Sequence, residues 1–308
     1  METFVIISPC YNEEKGIFNF LKSLEKTLSG TEYHFHIIMV NDGSNDSTLE
    51  ILKNFKIESS HIKMDILNLK YNIGHQKCIK TGLAYAKNIK AKGYIVMDSD
   101  GEDNPKAIKE LVKKQAFDIV FISRGKRKNT LAFKLGYMIY KIIFKMISKS
   151  SINFGNYTMI SETILDRIYL QNYVHYSAFL SKQNAIKELV VFDRESRIEG
   201  ESKMKLSALI IHGIQSFIEY SEELLVFFIK VLLVLIALFI MYGGYSFYSK
   251  FIAGNAIPGW TSIILMTMIN AILIIAGTIV LGLQIISSKS RAPSDSESYT
   301  IILAHKHK

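Results

Sequence analysis

Two long apolar runs near the C-terminal end limit what this chain can fold into more than any other feature. They cover about 225–248 and 261–286, and Lys230, near the start of the first run, is the only charged residue in either. A bilayer core about 30 Å thick needs roughly 20 apolar helical residues, and a lysine near a helix end reaches the headgroups at low cost. The sequence therefore predicts two transmembrane helices, in preference to a buried helical hairpin of a soluble protein.

The basic residues around these runs predict their orientation. Lys250 is the one basic residue of the link at 249–259, whereas the segment after the second run contains Lys289, Arg291, Lys306 and Lys308. Cytosolic flanks are enriched in Lys and Arg, so we expect this tail in the cytosol. Two crossings then bring the N-terminal part of the chain to the same side.

Strand and helix patterns alternate through the first hundred residues. Buried strands are predicted at 3–8, 33–41, 64–69 and 93–100, and amphipathic helices fill the intervals between them. This alternation is typical of a parallel α/β sheet that is covered on both faces. Sheets of this kind bind their ligands at the carboxyl ends of the strands.

The charge and the cysteines narrow the range of partners. The net charge is +9, from 37 Lys and Arg against 28 Asp and Glu. Beside two membrane spans, this excess favours an anionic membrane surface and phosphorylated substrates, and we expect no nucleic-acid partner.

Cys10 and Cys78 have no CxxC spacing, which disfavours a zinc site or a disulfide framework.

Acidic residues at the end of the fourth strand form the strongest chemical signal. In MDSDGED, at 97–103, Asp98 and Asp100 alternate with Ser99. Two such carboxylates can hold one hard divalent cation that keeps its other positions for water and substrate phosphates, although acidic pairs also cap turns. SPCYNEE at 8–14 and NDGSND at 41–46 follow two other strands of the same sheet, which favours the metal site.

Taken in order, these motifs resemble the family 2 glycosyltransferases. SPCYNEE is similar to the family's first-strand motif, NDGSNDST to its DDGSxDxT turn, YNIGHQKCIKTGLAYA to its N-x-G helix entrance, and MDSDGEDNP to its DxDxxDxP metal site. RIEGESK at 197–203 resembles the R-x-x-GESK segment of the polyprenyl-phosphate branch, which includes undecaprenyl-phosphate glucosyltransferases and dolichol-phosphate mannose synthases. The two spans with PGWTS in their link resemble the former most closely.

The resemblance implies an α/β fold, namely a Rossmann-like A-type glycosyltransferase domain followed by two transmembrane helices. It implies an inverting, metal-dependent transfer of one sugar from a nucleotide donor, a UDP-sugar, to polyprenyl phosphate at the cytosolic leaflet. Mg2+ or Mn2+ would bind Asp98, Asp100 and Glu102. The nucleoside would lie among Pro9, Tyr11, Asn12, Glu13, Asp42 and Asp98. The donor and lipid phosphates would contact Arg124, Arg197, Ser202 and Lys203, and the residues assigned to catalysis are Asp98, Asp100, Arg124, Arg197 and Lys203.

Three residues depart from the family pattern. Asn41 replaces the first Asp of the turn motif, and Asn156 and Thr158 replace an Asp and an Arg in FGNYTMIS. A carboxylate base is therefore not predicted at 156. A phosphate monoester acceptor is already anionic near neutral pH and needs none, and Asp103 is an alternative base.

These patterns predict a layout of four parts. A cytosolic catalytic domain at 1–204 is followed by an amphipathic juxtamembrane helix at 205–224, two membrane helices at 225–288 and a cytosolic basic tail at 289–308. A further amphipathic helix at 130–150, with lysines along one side, would either pack on the core with a solvated face or lie at the membrane interface. The expected location is the cell inner membrane as a multi-pass protein, with a homo-oligomer, a tetramer, as the family-based expectation.

Two other functions compete with single-sugar transfer. A processive polysaccharide synthase usually has more spans and a QxxRW motif, whereas the one tryptophan here is Trp260, directly after the link. A catalytically silent membrane scaffold would explain the departures, yet it would not require the Asp98 and Asp100 pair. A nucleotide-dependent oxidoreductase is disfavoured because no GxGxxG follows the first strand.

Overall fold

Within the residues that the structure describes, eight strands form one mixed sheet in the order β7-β5-β6-β4-β1-β2-β3-β8. The strands are β1 (Thr3–Cys10), β2 (His34–Asn41), β3 (Ile62–Leu69), β4 (Gly93–Val96), β5 (Ile119–Arg124), β6 (Phe154–Ile160), β7 (Lys187–Phe192) and β8 (Tyr299–Leu303). This computed structural model describes residues 2–124, 154–192, 218–254, 259–291 and 299–303. The described residues divide into two units, the sheet with its helices and the segment between 218 and 291.

The first four strands pair in parallel, as the alternation of strands and helices predicts. Strands β6 and β8 run antiparallel to their neighbours, so the complete sheet is mixed rather than all parallel. Strand β4 ends at Val96, four residues earlier than predicted. The acidic segment that follows bends at 99–101, where Gly101 adopts a left-handed conformation with φ +79°.

Helices cover both faces of the sheet. They are α1 (Ile17–Ser29), α2 (Thr48–Asn54), α3 (His75–Ala86), α4 (Ile108–Lys113) after a helical turn at Pro105–Ala107, α5 (Glu162–Ile168) and α6 (Tyr176–Lys182). Ile17, Leu21, Leu24 and Leu28 of α1 are buried, which confirms the helical spacing found in the sequence. One apolar core lies under α1 and α4, and a second lies under α3, α5 and α6.

Helix α3 packs closely on β1, and this fixes the position of its first turn. A Cβ atom on Gly82 would lie 2.4 Å from Ile7 Cγ2 and 3.1 Å from Val40 Cγ2. Only glycine allows this approach without displacement of the strand side chains. The N-terminal end of α3 is thereby held against the sheet edge where β1 and β2 end.

The predicted basic tail contributes a strand to the sheet, which the sequence did not indicate. Strand β8 pairs antiparallel with β3, with Leu67 opposite Ile301 and Leu69 opposite Tyr299. The Tyr299 ring lies edge-on to Tyr85 of α3, with centroids 6.5 Å apart. Residues that follow the second apolar helix thus complete the edge of the N-terminal sheet.

The second unit contains two long helices, α7 (Ser221–Phe251) and α8 (Trp260–Arg291). Both are long and apolar enough to cross a membrane, and no residue of α7 is buried. Ser246 Oγ donates a hydrogen bond to Thr261 Oγ1 at 2.9 Å, which links the two helices. The two apolar helices that the sequence predicts are confirmed.

Two predicted segments lie outside the described residues. They are the amphipathic helix at 130–150 and RIEGESK at 197–203. Of the predicted juxtamembrane helix at 205–224, only the part from 218 is described, and from Ser221 it belongs to α7.

Candidate active site

The three polar motifs meet at one edge of the sheet, as predicted from the strand ends. In the parallel β1–β2 pair, Cys10 lies opposite Asn41, so both strands end at the same level. Ser99, after β4, donates a hydrogen bond from Oγ to the Pro9 carbonyl at 2.7 Å. This bond fixes the acidic segment against the end of β1.

The loop after β1 is fastened to the loop after β2. Asn12 adopts a left-handed conformation with φ +52°, and its N–H donates to Ser44 Oγ at 3.0 Å. Asn12 Oδ1 accepts from the Asn45 N–H at 2.9 Å, and the Glu13 N–H donates to Thr48 Oγ1 at 2.8 Å. The two predicted nucleoside-binding loops therefore form one connected structure.

Tyr11 stands out in this loop because its ring is exposed. The side chain is 41% exposed, whereas the residue before it, Cys10, is buried. Burial and the nearby carboxylates of Glu13 and Asp42 raise the pKa of the Cys10 thiol. That thiol stays protonated and is no candidate nucleophile, while Tyr11 presents an aromatic face on which a base could stack.

Asn41 has a structural reason to be an amide. It is buried, its Nδ2 donates to Asn68 Oδ1 at 2.7 Å, and its Oδ1 accepts from Ser44 Oγ at 2.6 Å. One side chain here both donates and accepts, which an ionised carboxylate cannot do. The departure from the family motif at this position thus belongs to a buried network that holds the loop after β2.

The next residue, Asp42, connects this loop to the entrance of α3. Its two carboxylate oxygens accept from the N–H groups of Ile73 at 2.7 Å and Gly74 at 3.1 Å. Gly43 follows with φ +62°, and a Cβ there would lie 2.7 Å from the backbone carbon of Tyr71. Asp42 and Gly43 therefore lock the N-x-G turn against the sheet edge.

The acidic segment after β4 is shaped by its own carboxylates. Asp103 is buried, and its Oδ2 accepts from the Asp98 N–H at 2.9 Å. Asp100 Oδ1 accepts from the Glu102 N–H at 3.0 Å. Asp103 is thus engaged in holding the turn, which disfavours the alternative that it acts as a base.

His75, the first residue of α3, joins this segment, whereas its place after Gly74 in the sequence is compatible with either a donor contact or a surface residue. Its Nε2 lies 3.2 Å from Asp98 Oδ1 and 3.0 Å from Asn156 Nδ2. Burial lowers the pKa of His75, but the carboxylates of Asp98, Asp100 and Asp103 outweigh burial and raise it above its ordinary value. In the sequence, the N-x-G-H pattern was the only sign that His75 belongs to the site. Its contacts with Asp98 and Asn156 lie 23 and 81 positions away in the chain.

Thr158, the other departure on β6, does not face the edge where the motifs meet. It is fully buried, and its Oγ1 lies 3.1 Å from the hydroxyl of Tyr176. An arginine there would place a charge inside the core, at a large cost in free energy. The residues that replace the family pattern in FGNYTMIS thus separate into Asn156, beside the acidic segment, and Thr158, in the core.

The donor set suits a hard divalent cation. Asp98 and Asp100 supply carboxylate oxygens two residues apart, and Mg2+ typically binds one or two carboxylates and completes its shell with water and substrate phosphates. Among the described residues, no three side chains of His, Cys, Asp or Glu form a ready-made metal cluster. The residues present fit a cation that binds together with a phosphorylated ligand.

The predicted phosphate-binding residues are placed only in part. Arg124 is the last residue of β5, opposite Phe192 at the end of the parallel β7. Arg197, Ser202 and Lys203 lie outside the described residues.

Comparison with protein families decides the class of this site. The model of glycosyl transferase family 2 matches residues 5–168 of the 308, which include every motif at the sheet edge. The chain belongs to glycosyl transferase family 2. It is therefore a glycosyltransferase that uses a nucleotide-sugar donor, as the resemblance implies.

Relatives of this family 2 glycosyltransferase match it over nearly its whole length. An uncharacterized glycosyltransferase of Bacillus subtilis is 25% identical over 291 residues, which cover 90% of this chain and 87% of the relative. A prophage bactoprenol glucosyl transferase homolog of Escherichia coli is 25% identical, with 91% of each chain covered. The bactoprenol glucosyl transferase of Shigella phage SfV is 24% identical, again with 91% of each chain covered.

Solved structures confirm the A-type fold of this family 2 glycosyltransferase. Mannosyl-3-phosphoglycerate synthase from Rubrobacter xylanophilus has a TM-score of 0.55 at 12% identity, with 72% of this chain and 74% of that chain covered. Glucosyl-3-phosphoglycerate synthase from Mycobacterium tuberculosis, in complex with Mn2+, UDP and glucosyl-3-phosphoglycerate, has a TM-score of 0.52 at 14% identity, with 72% and 80% covered.

Proposed function

We propose that this family 2 glycosyltransferase transfers a single sugar from a UDP-sugar to polyprenyl phosphate at the cytosolic leaflet, with inversion at the anomeric carbon and with Mg2+ or Mn2+. The observation that carries the proposal is the meeting of the acidic segment after β4 with the loops after β1 and β2 at one sheet edge. Such an edge is where open α/β sheets bind nucleotides.

The relatives support the choice of acceptor and of metal. Proteins of Escherichia coli and of Shigella phage SfV that match this chain over 91% of its length are named as bactoprenol glucosyl transferases or their homologs. A structural neighbour was solved with Mn2+ and UDP. A lipid-linked phosphate acceptor agrees with the two helices that are long and apolar enough to cross a membrane.

In this proposal each group at the edge has one role. Asp98 and Asp100, with Glu102, hold the cation, which when bound offsets the negative charge that grows on the departing nucleotide. Tyr11 and the loop of Asn12 and Glu13 contact the nucleoside, together with Pro9, Asp42 and Asp98. Arg124, Arg197, Ser202 and Lys203 contact phosphates, because guanidinium groups and lysine recognise them well.

The transfer needs no carboxylate base at 156. The acceptor oxygen of a phosphate monoester is already anionic near neutral pH, so it attacks the anomeric carbon without giving up a proton. The bond from that carbon to the donor phosphate breaks as the new bond forms on the opposite face. In-line attack of this kind inverts the configuration, and positioning of the two phosphates supplies much of the rate.

The acceptor assignment is tested by the dependence of donor turnover on lipid. With purified chain, Mn2+ and UDP-glucose, release of UDP should rise at least about 10-fold when undecaprenyl phosphate is added in detergent. UDP release that is equal with and without the lipid, for every UDP-sugar tested, would argue against a polyprenyl phosphate acceptor.

Pairing of β3 with β8 supports the proposed topology. Strand β8 follows the second apolar helix in the chain, yet it completes the sheet that begins at Thr3. Strands that pair in one sheet lie on the same side of the membrane. The chain between β3 and β8 therefore crosses the membrane an even number of times. With the basic tail, this favours a multi-pass protein of the inner membrane whose catalytic domain and C-terminus are cytosolic.

Topology gives a prediction that accessibility can check. Single cysteines at the N-terminus and after Lys308 should be shielded from a membrane-impermeant reagent in intact cells, whereas one at Asn255 should be labelled. A background without Cys10 and Cys78 serves as control, and permeabilised cells show that every site can react. A shielded link would contradict two crossings, although the transfer mechanism could survive that result.

A second prediction concerns Lys203 and the acceptor phosphate. Lys203→Ala should lower lipid-dependent transfer by about 10-fold or more, which corresponds to about 1.4 kcal/mol of transition-state stabilisation. If Lys203 contacts the acceptor phosphate, UDP binding measured without lipid should fall less than lipid-dependent transfer does. If it contacts the donor phosphates, both should fall by a similar factor. Unchanged transfer by a folded variant would make Lys203 a solvated surface charge.

Assembly as a homo-oligomer, a tetramer in the family-based expectation, remains part of the proposal. The roles proposed above are assigned to residues of one chain. The proposed chemistry therefore does not depend on the oligomeric state.

A further inference from the structure

Asn156 lies beside the acidic segment because of the register between β4 and β6. These strands are antiparallel, and Val96, the last residue of β4, lies opposite Thr158. Asp98 comes two residues after Val96 in the chain, and Asn156 comes two residues before Thr158 in β6. Asn156, which replaces the Asp of the family pattern, thus lies level with the first carboxylate of the metal motif.

His75 fills the space between these two residues. Its Nε2 lies 3.2 Å from Asp98 Oδ1 and 3.0 Å from the Asn156 amide. The ring belongs to the first turn of α3, which is itself fixed, since Gln76 Oε1 accepts from the Tyr176 N–H at 2.6 Å. The imidazole therefore links three elements, α3, β6 and the segment after β4.

The hydrogen-bonding capacities of the three groups suggest how they work together. The Nε2 atom of His75 either carries a hydrogen and donates, or has a lone pair and accepts. With the hydrogen on Nε2, a half-turn of the Asn156 amide lets its oxygen accept from that N–H, and Nε2 keeps its ion-pair distance of 3.2 Å to Asp98 Oδ1. Without this half-turn, the buried Oδ1 of Asn156 has no hydrogen-bond partner among the described residues. The half-turn gives it one.

We propose that His75 is a positioning residue of the donor site: its ring, oriented by Asn156, holds the Asp98 carboxylate ready for the divalent cation. The inference rests on the proposed metal-dependent function and extends it to two residues outside the metal motif. Hydrogen-bonding partners behind a metal ligand typically set its orientation, and their loss costs about 10-fold to 100-fold in metal affinity.

The same arrangement explains why an amide at 156 suits a histidine at 75. A carboxylate at 156 would compete with Asp98 for the Nε2 hydrogen, and it would add negative charge beside Asp98, Asp100 and Asp103. Asn156 orients the ring without adding charge. The departure from the family pattern at 156 is therefore matched to His75 rather than being a lost base.

Mn2+ binding tests this inference without relying on turnover. Mn2+ is titrated into the detergent-solubilised full chain at one fixed, saturating concentration of UDP, and the free ion is followed by electron paramagnetic resonance against a titration of UDP without protein. His75→Ala should raise the Kd for Mn2+ by about 10-fold to 100-fold. His75→Gln, whose Nε2 amide can donate from a similar position, should restore the Kd to within about 3-fold. His34→Ala, at the opposite end of β2, is the matched control and should leave the Kd unchanged.

A double-mutant cycle tests whether Asn156 acts through His75. Asn156→Ala alone should weaken Mn2+ binding by a smaller factor than His75→Ala. The double variant should bind no more weakly than His75→Ala, since coupled residues are not additive. Additive losses would overturn the assignment of Asn156 as the residue that orients the ring.

Three further results separate this inference from the proposed function. Wild-type affinity for Mn2+ in a folded His75→Ala variant overturns the inference, whatever the transfer rate. Failure of the unaltered chain to bind Mn2+ in the presence of UDP overturns both the inference and the proposed metal requirement. A clear His75 effect on Mn2+ in a chain that transfers no sugar to lipid supports the inference and overturns the proposed acceptor.

Discussion

Asp100→Asn is expected to lower sugar transfer at least about 100-fold, the scale on which a key electrostatic stabiliser is lost. The substitution removes one negative charge from the proposed cation site and changes almost nothing else. Asn keeps the Oδ1 atom that accepts from the Glu102 N–H at 3.0 Å, so the turn after β4 should persist. The rate is measured at saturating donor, lipid and Mn2+.

Asp166→Asn provides the matched control for this variant. Asp166 lies on α5 and forms a surface ion pair with Lys87, and such pairs contribute about 0–1 kcal/mol. Its transfer rate should stay within about 2-fold of the unaltered chain. Near-normal turnover of Asp100→Asn, with the metal still required, would remove Asp100 from the cation site.

Gly43→Ala is the second substitution with a large expected effect, and it acts on the loop rather than on the chemistry. Its backbone has φ +62°, where a Cβ costs about 1–2 kcal/mol. The new Cβ would also lie 2.7 Å from the backbone carbon of Tyr71, and overpacking of this kind costs about 1–3 kcal/mol. We therefore expect a loss of about 2–5 kcal/mol in the free energy of unfolding.

This loss should appear as a drop of about 4–20 °C in the Tm of the detergent-solubilised chain. UDP binding should weaken too, because displacement of the loop breaks the contacts of Asp42 with Ile73 and Gly74. Gly16→Ala is the control, since its Cβ would meet only Glu13 Oε2, at 3.9 Å. Equal Tm values for the two variants would contradict the close approach of Gly43 to Tyr71.

The sequence patterns predicted the central strands β1 to β4 correctly, because each of these patterns lies within one short stretch of the chain. Alternation of short apolar strands with amphipathic helices gave β1 to β4 and α1 to α3 in order. Convergence of the polar motifs followed from the geometry of parallel strands. The same reasoning missed β8, a five-residue strand within a polar, basic tail, because its partners in β3 and α3 lie more than 200 positions away.

The site shows the same limit. Asp98 and Asp100 were found because two carboxylates alternate at a strand end. The role of Asn41 was not visible, because its partner Asn68 comes from the neighbouring strand β3. His75 approaches Asp98 only because α3 packs closely on β1 and β6 runs antiparallel to β4, and neither relation leaves a mark in the local sequence.

Mass analysis of the lipid product tests the central claim most directly. The purified chain is incubated with undecaprenyl phosphate, a panel of UDP-sugars and either Mn2+ or a chelator, and the lipid is extracted. The account predicts that one donor yields undecaprenyl phosphate bearing a single sugar, attached with inverted anomeric configuration, and that the chelator abolishes this product. Lipid that remains unmodified with every donor, or that bears a chain of several sugars, would contradict it.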